Sequence, residues 1–184
     1  RVKGDLTAPE AWPLSDLVIA SYALAEIPAG RQAATVAALW AACGGLLVLA
    51  EPGTPDGWRR ILAAREALIA AGGRVLAPCP HDLACPLAEP DWCHFYRRVA
   101  RSRAHLSAKD AEVPWEDEKF VYLAVSREAA ALPEARVIAQ PRIGSGKAAL
   151  KLCSADGTAR TELITRRQGD RFRAARRAEW GDVF

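Results

Sequence analysis

The feature that most constrains this chain is an alternation running through its first half. Residues 16–20 and 46–50 are short, nearly continuous apolar runs, and residues 74–77 form a third short run. Between the first two lies the Ala-rich segment 31–42, closed by Gly44-Gly45. Between the second and third, Trp58, Ile61, Leu62, Leu68 and Ile69 share one helical face, and Gly72-Gly73 closes the segment. Thr54 is placed to cap this second helix, and Pro55 suits its first position. The order strand, helix, strand, helix, strand predicts right-handed crossovers in a largely parallel sheet of buried strands. Residues 119–126 add another buried strand, apolar on both faces, and residues 95–108 are a basic helical candidate.

The last third has a different texture. Residues 136–140, 147–153 and 159–165 are short strand candidates, separated by the turn signals Gly144-Ser145-Gly146 and Ala155-Asp156-Gly157. They predict an antiparallel meander, open or closed into a small barrel of the oligonucleotide-binding kind. Residues 166–180 follow as a basic, partly helical tail. A boundary near Pro133 would divide an α/β unit (1–132, including the Cys-rich loop 78–95) from a basic β unit (133–184). Charge follows this division: residues 1–93 carry net −3, 94–135 carry 0, and 136–184 carry +6. That surplus suits a polyanionic partner, whereas a solvated basic face is the bland reading. No apolar run approaches the roughly 20 residues needed to cross a bilayer, so no membrane partner is expected. No signal peptide is visible. The chain begins with Arg1 and contains no Met, which suggests a processed or truncated piece.

Cysteine placement carries the strongest chemical signal. Cys79-Pro80 and Cys85-Pro86 are followed by Cys93 within one irregular loop, and Cys153 lies on a later strand. Three thiols in a polar loop and a fourth from a distant strand can converge as a four-sulfur set, the soft donors that iron–sulfur clusters and zinc take. The spacings are wider than the tight pairs of structural zinc sites, and Pro follows two of the four Cys. Both points favour a cluster over zinc. Cys43, in an apolar helix, reads as a small core hydrophobe, and Cys153 alone could be read the same way. His81 and His94 lie beside the cysteines as supporting donors at best.

Other signals weigh less. Gly144-Ser145-Gly146-Lys147 lacks the first Gly and the final Ser/Thr of a phosphate-binding loop and reads as a hairpin turn. The acidic run Glu116-Asp117-Glu118 reads as a solvated loop before the strand at 119. No Gly-x-Ser-x-Gly or His-Glu-x-x-His motif occurs.

Five stretches resemble one known family: DLVIASYALAE at 16–26, EPGTPDGW at 51–58, CPHDLACPLAEPDWCHF at 79–95, PWEDEK at 114–119 and PRIGSGKAALKLC at 141–153. Together they are similar to the methyltransferase-like small-ribosomal-subunit assembly factors of bacteria and mitochondria, a family that includes methyltransferase-like protein 17. The resemblance implies a class I methyltransferase (Rossmann-like) α/β sheet, of which this chain would be the C-terminal part. It implies a [4Fe–4S] cluster on Cys79, Cys85, Cys93 and Cys153, S-adenosylmethionine in the full-length protein, and the small ribosomal subunit and its rRNA as partners. The location implied is the cytoplasm for bacterial members and the mitochondrial matrix for eukaryotic ones. Asp5 and Leu6 would then contact the adenine of the cofactor, and Ser21 and Tyr22 would face its methyl group. The Gly-rich nucleotide loop of such a fold is missing here and would precede Arg1, so this piece is expected to bind the cofactor weakly at most. The Asn/Asp-Pro-Pro-Tyr motif of amino-methylating enzymes is also missing, and no Cys stands where a cytosine-C5 nucleophile would be. The sequence therefore does not assign methyl transfer: an assembly factor without it, an active rRNA methyltransferase and a zinc-stabilised RNA-binding module are the readings carried forward.

Overall fold

The three apolar runs become the first three strands of a computed structural model that describes residues 4–6, 12–110 and 112–184. Strand β1 (Ser15–Ser21) leads through a short turn of 3-10 helix to α1 (Ala29–Ala41), then to β2 (Cys43–Pro52), α2 (Pro55–Ala70) and β3 (Arg74–Ala77). After a long loop come β4 (Phe95–Ala100), α3 (Arg103–Ala108) and β5 (Trp115–Ser126). The sheet order is β1-β2-β5-β3, with β4 also on β5. The pair β1–β2 is parallel, as expected, but β5 runs antiparallel between β2 and β3. The three strands of the sequence pattern do share one direction. The sheet is nevertheless mixed, because a strand formed later in the chain is wedged between two of them. This mixed α/β sheet fits a methyltransferase-like fold.

Helices α1 and α2 bury one face of the sheet. Val36, Leu39 and Trp40 of α1 and Trp58, Ile61 and Leu68 of α2 pack against Leu47, Leu49, Val121, Leu123 and Val125. Full burial of each such leucine contributes about 2 kcal/mol. The other face is open at β1, where Leu17 and Ile19 are 52% and 61% exposed. The expected buried strand is thus half-buried: Val18 and Ala20 face the core, but the alternate side chains have no layer over them. Cys43 starts β2 rather than ending a helix and is fully buried in this core. Gly44-Gly45 also belongs to β2, where a Cβ on Gly45 would lie 2.5 Å from the Asp16 carbonyl oxygen.

Two further expectations are corrected. Residues 95–108 are not one helix but strand β4 followed by the short helix α3. The acidic run is not a loop but the first half of β5. The two errors share a cause. The register sets Arg97 opposite Glu118 and Arg98 opposite Asp117, so opposite charges face each other across a ribbon. Arg98 Nε and Nη2 donate to both Asp117 carboxylate oxygens at 2.8 and 3.0 Å.

A second sheet contains β6 (Ala135–Val137), β7 (Arg142–Gly144), β8 (Lys147–Ser154) and β9 (Ala159–Thr165). β6 and β7 lie end to end along one edge of β8, and β9 takes the other, all antiparallel. The sheet is open, so the barrel form of the meander is not adopted. Its core of Val137, Leu150, Leu152 and Ile164 is covered by Phe172 and Ala175 of α4 (Asp170–Ala175). The Gly-Ser-Gly segment is the β7–β8 hairpin turn, with Gly146 at φ 73°. Among the described residues, no helix is long and apolar enough to cross a membrane.

Thr54 caps α2 by accepting from the Gly57 amide at 3.1 Å, and Pro55 occupies the first turn. Gly57 sits under the end of β2, where a Cβ would lie 1.9 Å from the Pro52 carbonyl oxygen. Gly to Ala inside a helix normally stabilises by about 1 kcal/mol. Here Gly57→Ala should instead destabilise by about 2 kcal/mol through overpacking, read as a lower urea midpoint. A neutral or raised midpoint would show that α2 does not approach β2 this closely.

Candidate metal centre

Residues 78–94 contain no helix or strand, yet several charged and polar groups fix their path. Arg65 projects from the apolar face of α2 and is 3% exposed. Its Nη2 donates to the carbonyls of His81 and Leu83 at 2.8 and 2.7 Å. Asp82 Oδ1 accepts from the Val75 amide of β3 at 2.8 Å, and Trp92 Nε1 donates to the Gly53 carbonyl at 3.2 Å. The second sheet grips the same loop. Arg136 of β6 donates through Nε to the Pro78 carbonyl and through Nη1 to the Gly181 carbonyl. Lys151 of β8 pairs with Asp91. Gly157, in the β8–β9 turn at φ 80°, lies so close to Leu83 that a Cβ would meet its Cδ1 at 2.9 Å.

This clamp brings the four selected cysteines to one place. Cys79, Cys85, Cys93 and Cys153 all line a single cavity of about 20 Å³, with Pro78, Pro86, Leu87 and Ile138 as apolar walls. All are free thiols. Cys153 arrives from β8, the distant strand of the sequence argument. Burial raises the Cys79 thiol above its ordinary pKa. Burial, with Cys79, Cys85 and Cys153 close by, raises Cys93 well above it. Burial again, with Cys79 and Cys85, pushes Cys153 up to about 12. His81 Nε2 lies 3.5 Å from Cys153 Sγ. Burial and the Arg65 charge lower the His81 pKa, which favours the neutral imidazole. Its Nδ1 is buried without a partner. His94 points elsewhere: it stacks on Trp92 at 5.3 Å and meets Trp180 edge-on at 4.7 Å. Four sulfurs lining one apolar pocket, Cys153 buried and the other three half-buried, fit a soft metal or a cluster in donor type. Among the described residues, however, no three His, Cys, Asp or Glu side chains are gathered to hold a metal ion.

The remaining candidate residues lie outside this cavity. Ser21 and Tyr22 stand at the carboxyl end of β1, the end at which open α/β sheets take ligands. Tyr22 has φ 54°, and its hydroxyl donates to Glu118 at 3.3 Å. Burial and Glu118 raise its pKa. Asp5 and Leu6 lie beside α1, where the Leu6 carbonyl accepts from Thr35 Oγ1 at 3.3 Å. Basic side chains are dense near α4: Arg173, Arg176 and Arg177 line one open groove with Phe172. Among the described residues, Arg166, Arg167, Arg176 and Arg177 form no ion pair with an acidic group.

Sequence reasoning missed three charged groups that organise this region. Arg65 was detectable, since it stands among Ile61 and Leu68 on the buried stripe of α2 and a cation there needs acceptors. Arg136 offered no such mark in its short strand. Glu51, 1% exposed at the end of β2, accepts from the Leu24 amide and from Arg60 Nε, both at 2.9 Å.

Comparison with known proteins places the chain. Residues 1–184 match the family described as mitochondrial small ribosomal subunit Rsm22, and the chain belongs to that family. Among curated relatives, it is 31% identical to the human mitochondrial ribosome assembly protein METTL17 over 92% of its own length and 39% of that protein's. It is 26% identical to Rsm22-cox11 tandem protein 2, a mitochondrial protein of Schizosaccharomyces pombe, over 91% of its length and 29% of that protein's. The chain therefore spans well under half of the relatives it matches.

Two outcomes test the clamp and the thiol cavity. Arg65→Met leaves the carbonyls of His81 and Leu83 without their donor. It should cost about 2 kcal/mol and speed hydrogen exchange in residues 78–94 before the rest of the chain. Unchanged exchange there would show that Arg65 does not hold the loop. The second test concerns pH in metal-free, reduced protein. A thiol in the unfolded chain ionises near about 8.5, whereas Cys153 in the fold ionises only near 12. Between those values the unfolded chain binds fewer protons, so stability falls as pH rises. The urea midpoint should drop between about pH 8.5 and 10, and Cys153→Ala should flatten that drop.

Proposed function

We propose that this chain is the cluster-bearing part of a methyltransferase-like factor that acts on the small ribosomal subunit. Its four cavity cysteines would hold a [4Fe–4S] cluster, and its basic C-terminal region would contact rRNA. The observation that carries this reading is the convergence of Cys79, Cys85, Cys93 and Cys153 on one buried cavity between the two sheets. A four-iron cluster takes one thiolate per iron and so needs sulfurs set around a space rather than drawn to one point. When bound, the cluster would supply a rigid cross-link and one-electron chemistry. The chain's own part is to deliver the sulfurs, with Arg65 and Arg136 fixing the loop carbonyls and His81 lying against the Cys153 sulfur.

The partner follows from the family and from charge. The human relative is named for ribosome assembly, and the +6 surplus of residues 136–184 includes arginines free to meet phosphates. The open face of β1, with Leu17 and Ile19 exposed, is where further layers of a methyltransferase-like sheet would pack. Ser21 and Tyr22 at the end of β1 and Asp5 and Leu6 beside α1 are the proposed S-adenosylmethionine contacts of the full-length protein. For relatives of the mitochondrial proteins the site of action is the matrix, and for bacterial members the cytoplasm.

Anaerobic purification with joint assay of iron, sulfide and zinc tests the metal. The expected result is brown protein with about four irons and four sulfides per chain. One zinc and no colour would overturn the cluster and keep the four-sulfur site; neither metal would remove both. Cys153→Ser should lower iron content and open new protease cuts beyond Pro133, because it removes the ligand supplied by the second sheet. An unchanged cleavage pattern would mean that the cluster does not tie the two sheets together.

A further inference from the structure

A second concave site lies along the outer edge of β4, away from the thiol cavity. β4 pairs with β5 alone, so its other edge carries no strand. Against that edge the C-terminal segment places Glu179 and Trp180. Tyr96, Arg97, Arg98, Glu179 and Trp180 line an open groove of about 400 Å³, within the range that small ligands occupy. Three features of this groove point to one ligand class. The rings of Tyr96 and Trp180 lie 5.4 Å apart at 56°, so they form a splayed pair rather than a closed stack. Arg98 is held rigid, bonded to Asp117 and seated 3.7 Å over the Trp115 ring. Arg97 beside it is exposed and, among the described residues, has no ion pair. Glu179 likewise keeps its carboxylate free of any described partner, for only its main chain is engaged, by Asp182.

The free Glu179 carboxylate itself gains nothing from a phosphate backbone, which it repels. It gains only if the ligand brings N–H donors to it. Unpaired RNA bases do so: they stack on aromatic rings and present their Watson–Crick edges. Guanine carries two adjacent donors on that edge, N1–H and the N2 amino group, which one carboxylate can accept together. Adenine and cytosine offer only an amino group, and uracil a single imide N–H. Arg97, which has no ion pair among the described residues, is then placed for a flanking phosphate, while Arg98 stays bonded to Asp117.

We propose that this groove binds one unpaired guanine base of RNA, stacked on Trp180 with Tyr96 at its edge and read by Glu179. The proposal rests on the rRNA-binding reading above and specifies what part of an RNA it takes. The groove also touches the thiol-bearing loop, because His94, next to Cys93, packs its ring on Trp180. Order in that loop therefore supports the stacking platform.

The test uses the whole chain and fluorescently labelled single-stranded RNA decamers. All are oligouridine with one central G, inosine, A or U, and binding is read by anisotropy at fixed salt. The G decamer should bind several-fold tighter than the inosine decamer, which lacks only the N2 amino group, and tighter still than the A and U decamers. Glu179→Gln, an exposed change, should erase the G-over-inosine difference. Trp180→Leu should weaken the G decamer about tenfold or more, the usual scale of losing one base–aromatic stack. Circular dichroism confirms that each variant is folded, and the Glu179 result stands even if Trp180→Leu is not. Equal affinity for all four decamers, with binding that still weakens as salt rises, would overturn the groove and leave the rRNA reading intact. No binding of any decamer, or of structured rRNA fragments, would remove both.

Discussion

The structure depends on satisfying the backbone of a loop that has no secondary structure of its own. Where a segment such as 78–94 is buried against the two sheets, its carbonyls would be stranded in an apolar setting, at a cost of a few kcal/mol for each unpaired group. Two guanidinium groups meet this need. Arg65 reaches out of the first core and Arg136 out of the second sheet, and both donate to loop carbonyls. Arginine suits the task because its charge is permanent and its donors are set in a fixed fork. The loop is thereby held from both sides, and the second sheet is held through the loop to the first. The thiol cavity lies at this seam, so a group bound by Cys79, Cys85, Cys93 and Cys153 would join elements already in contact.

The thiols gain their character from the same burial. In the metal-free fold Cys79, Cys93 and Cys153 are pushed toward the neutral form, Cys153 as far as about 12. A soft cation reverses that balance, since it takes the thiolate and releases the proton. A metal held there would couple its binding to folding, and the Lys151–Asp91 and Arg136–Pro78 contacts across the seam would feel the same event.

Much of this was legible in the sequence, for identifiable reasons. The alternation of 16–77 fixed the direction of β1, β2 and β3, because apolar period and Gly termination are local signals. The convergence of the four cysteines on one cavity was legible because three thiols in a polar loop are harder to explain as packing alone, although Cys79, Cys85 and Cys93 do also pack against the first core. What was missed depended on partners far away in sequence. The strand β4 is polar and basic, and its residues are extended only because the acidic half of β5 lies opposite them. The antiparallel wedge of β5 between β2 and β3 is a matter of order in the sheet, which no local pattern encodes. Arg136 carries the seam from a three-residue strand whose sequence looks ordinary.

The β4–β5 ribbon bears on how the two basic regions can work together. Within the ribbon most positive charge is already used: Arg98 is committed to Asp117, and Arg101 and Lys109 to Glu116, both at 3.1 Å. Its net charge is small, so it adds little long-range attraction for a polyanion. The arginines around α4 carry that attraction instead, and screening makes it sensitive to salt. A surface that attracts without discriminating and a neutral, aromatic groove that discriminates without attracting are complementary. Phosphate contacts position a nucleic acid and base contacts specify it. Trp180 lies only a few residues past Arg176 and Arg177 in the chain, so α4 and the groove are linked by a short path. An RNA strand drawn to α4 is thereby brought within reach of β4.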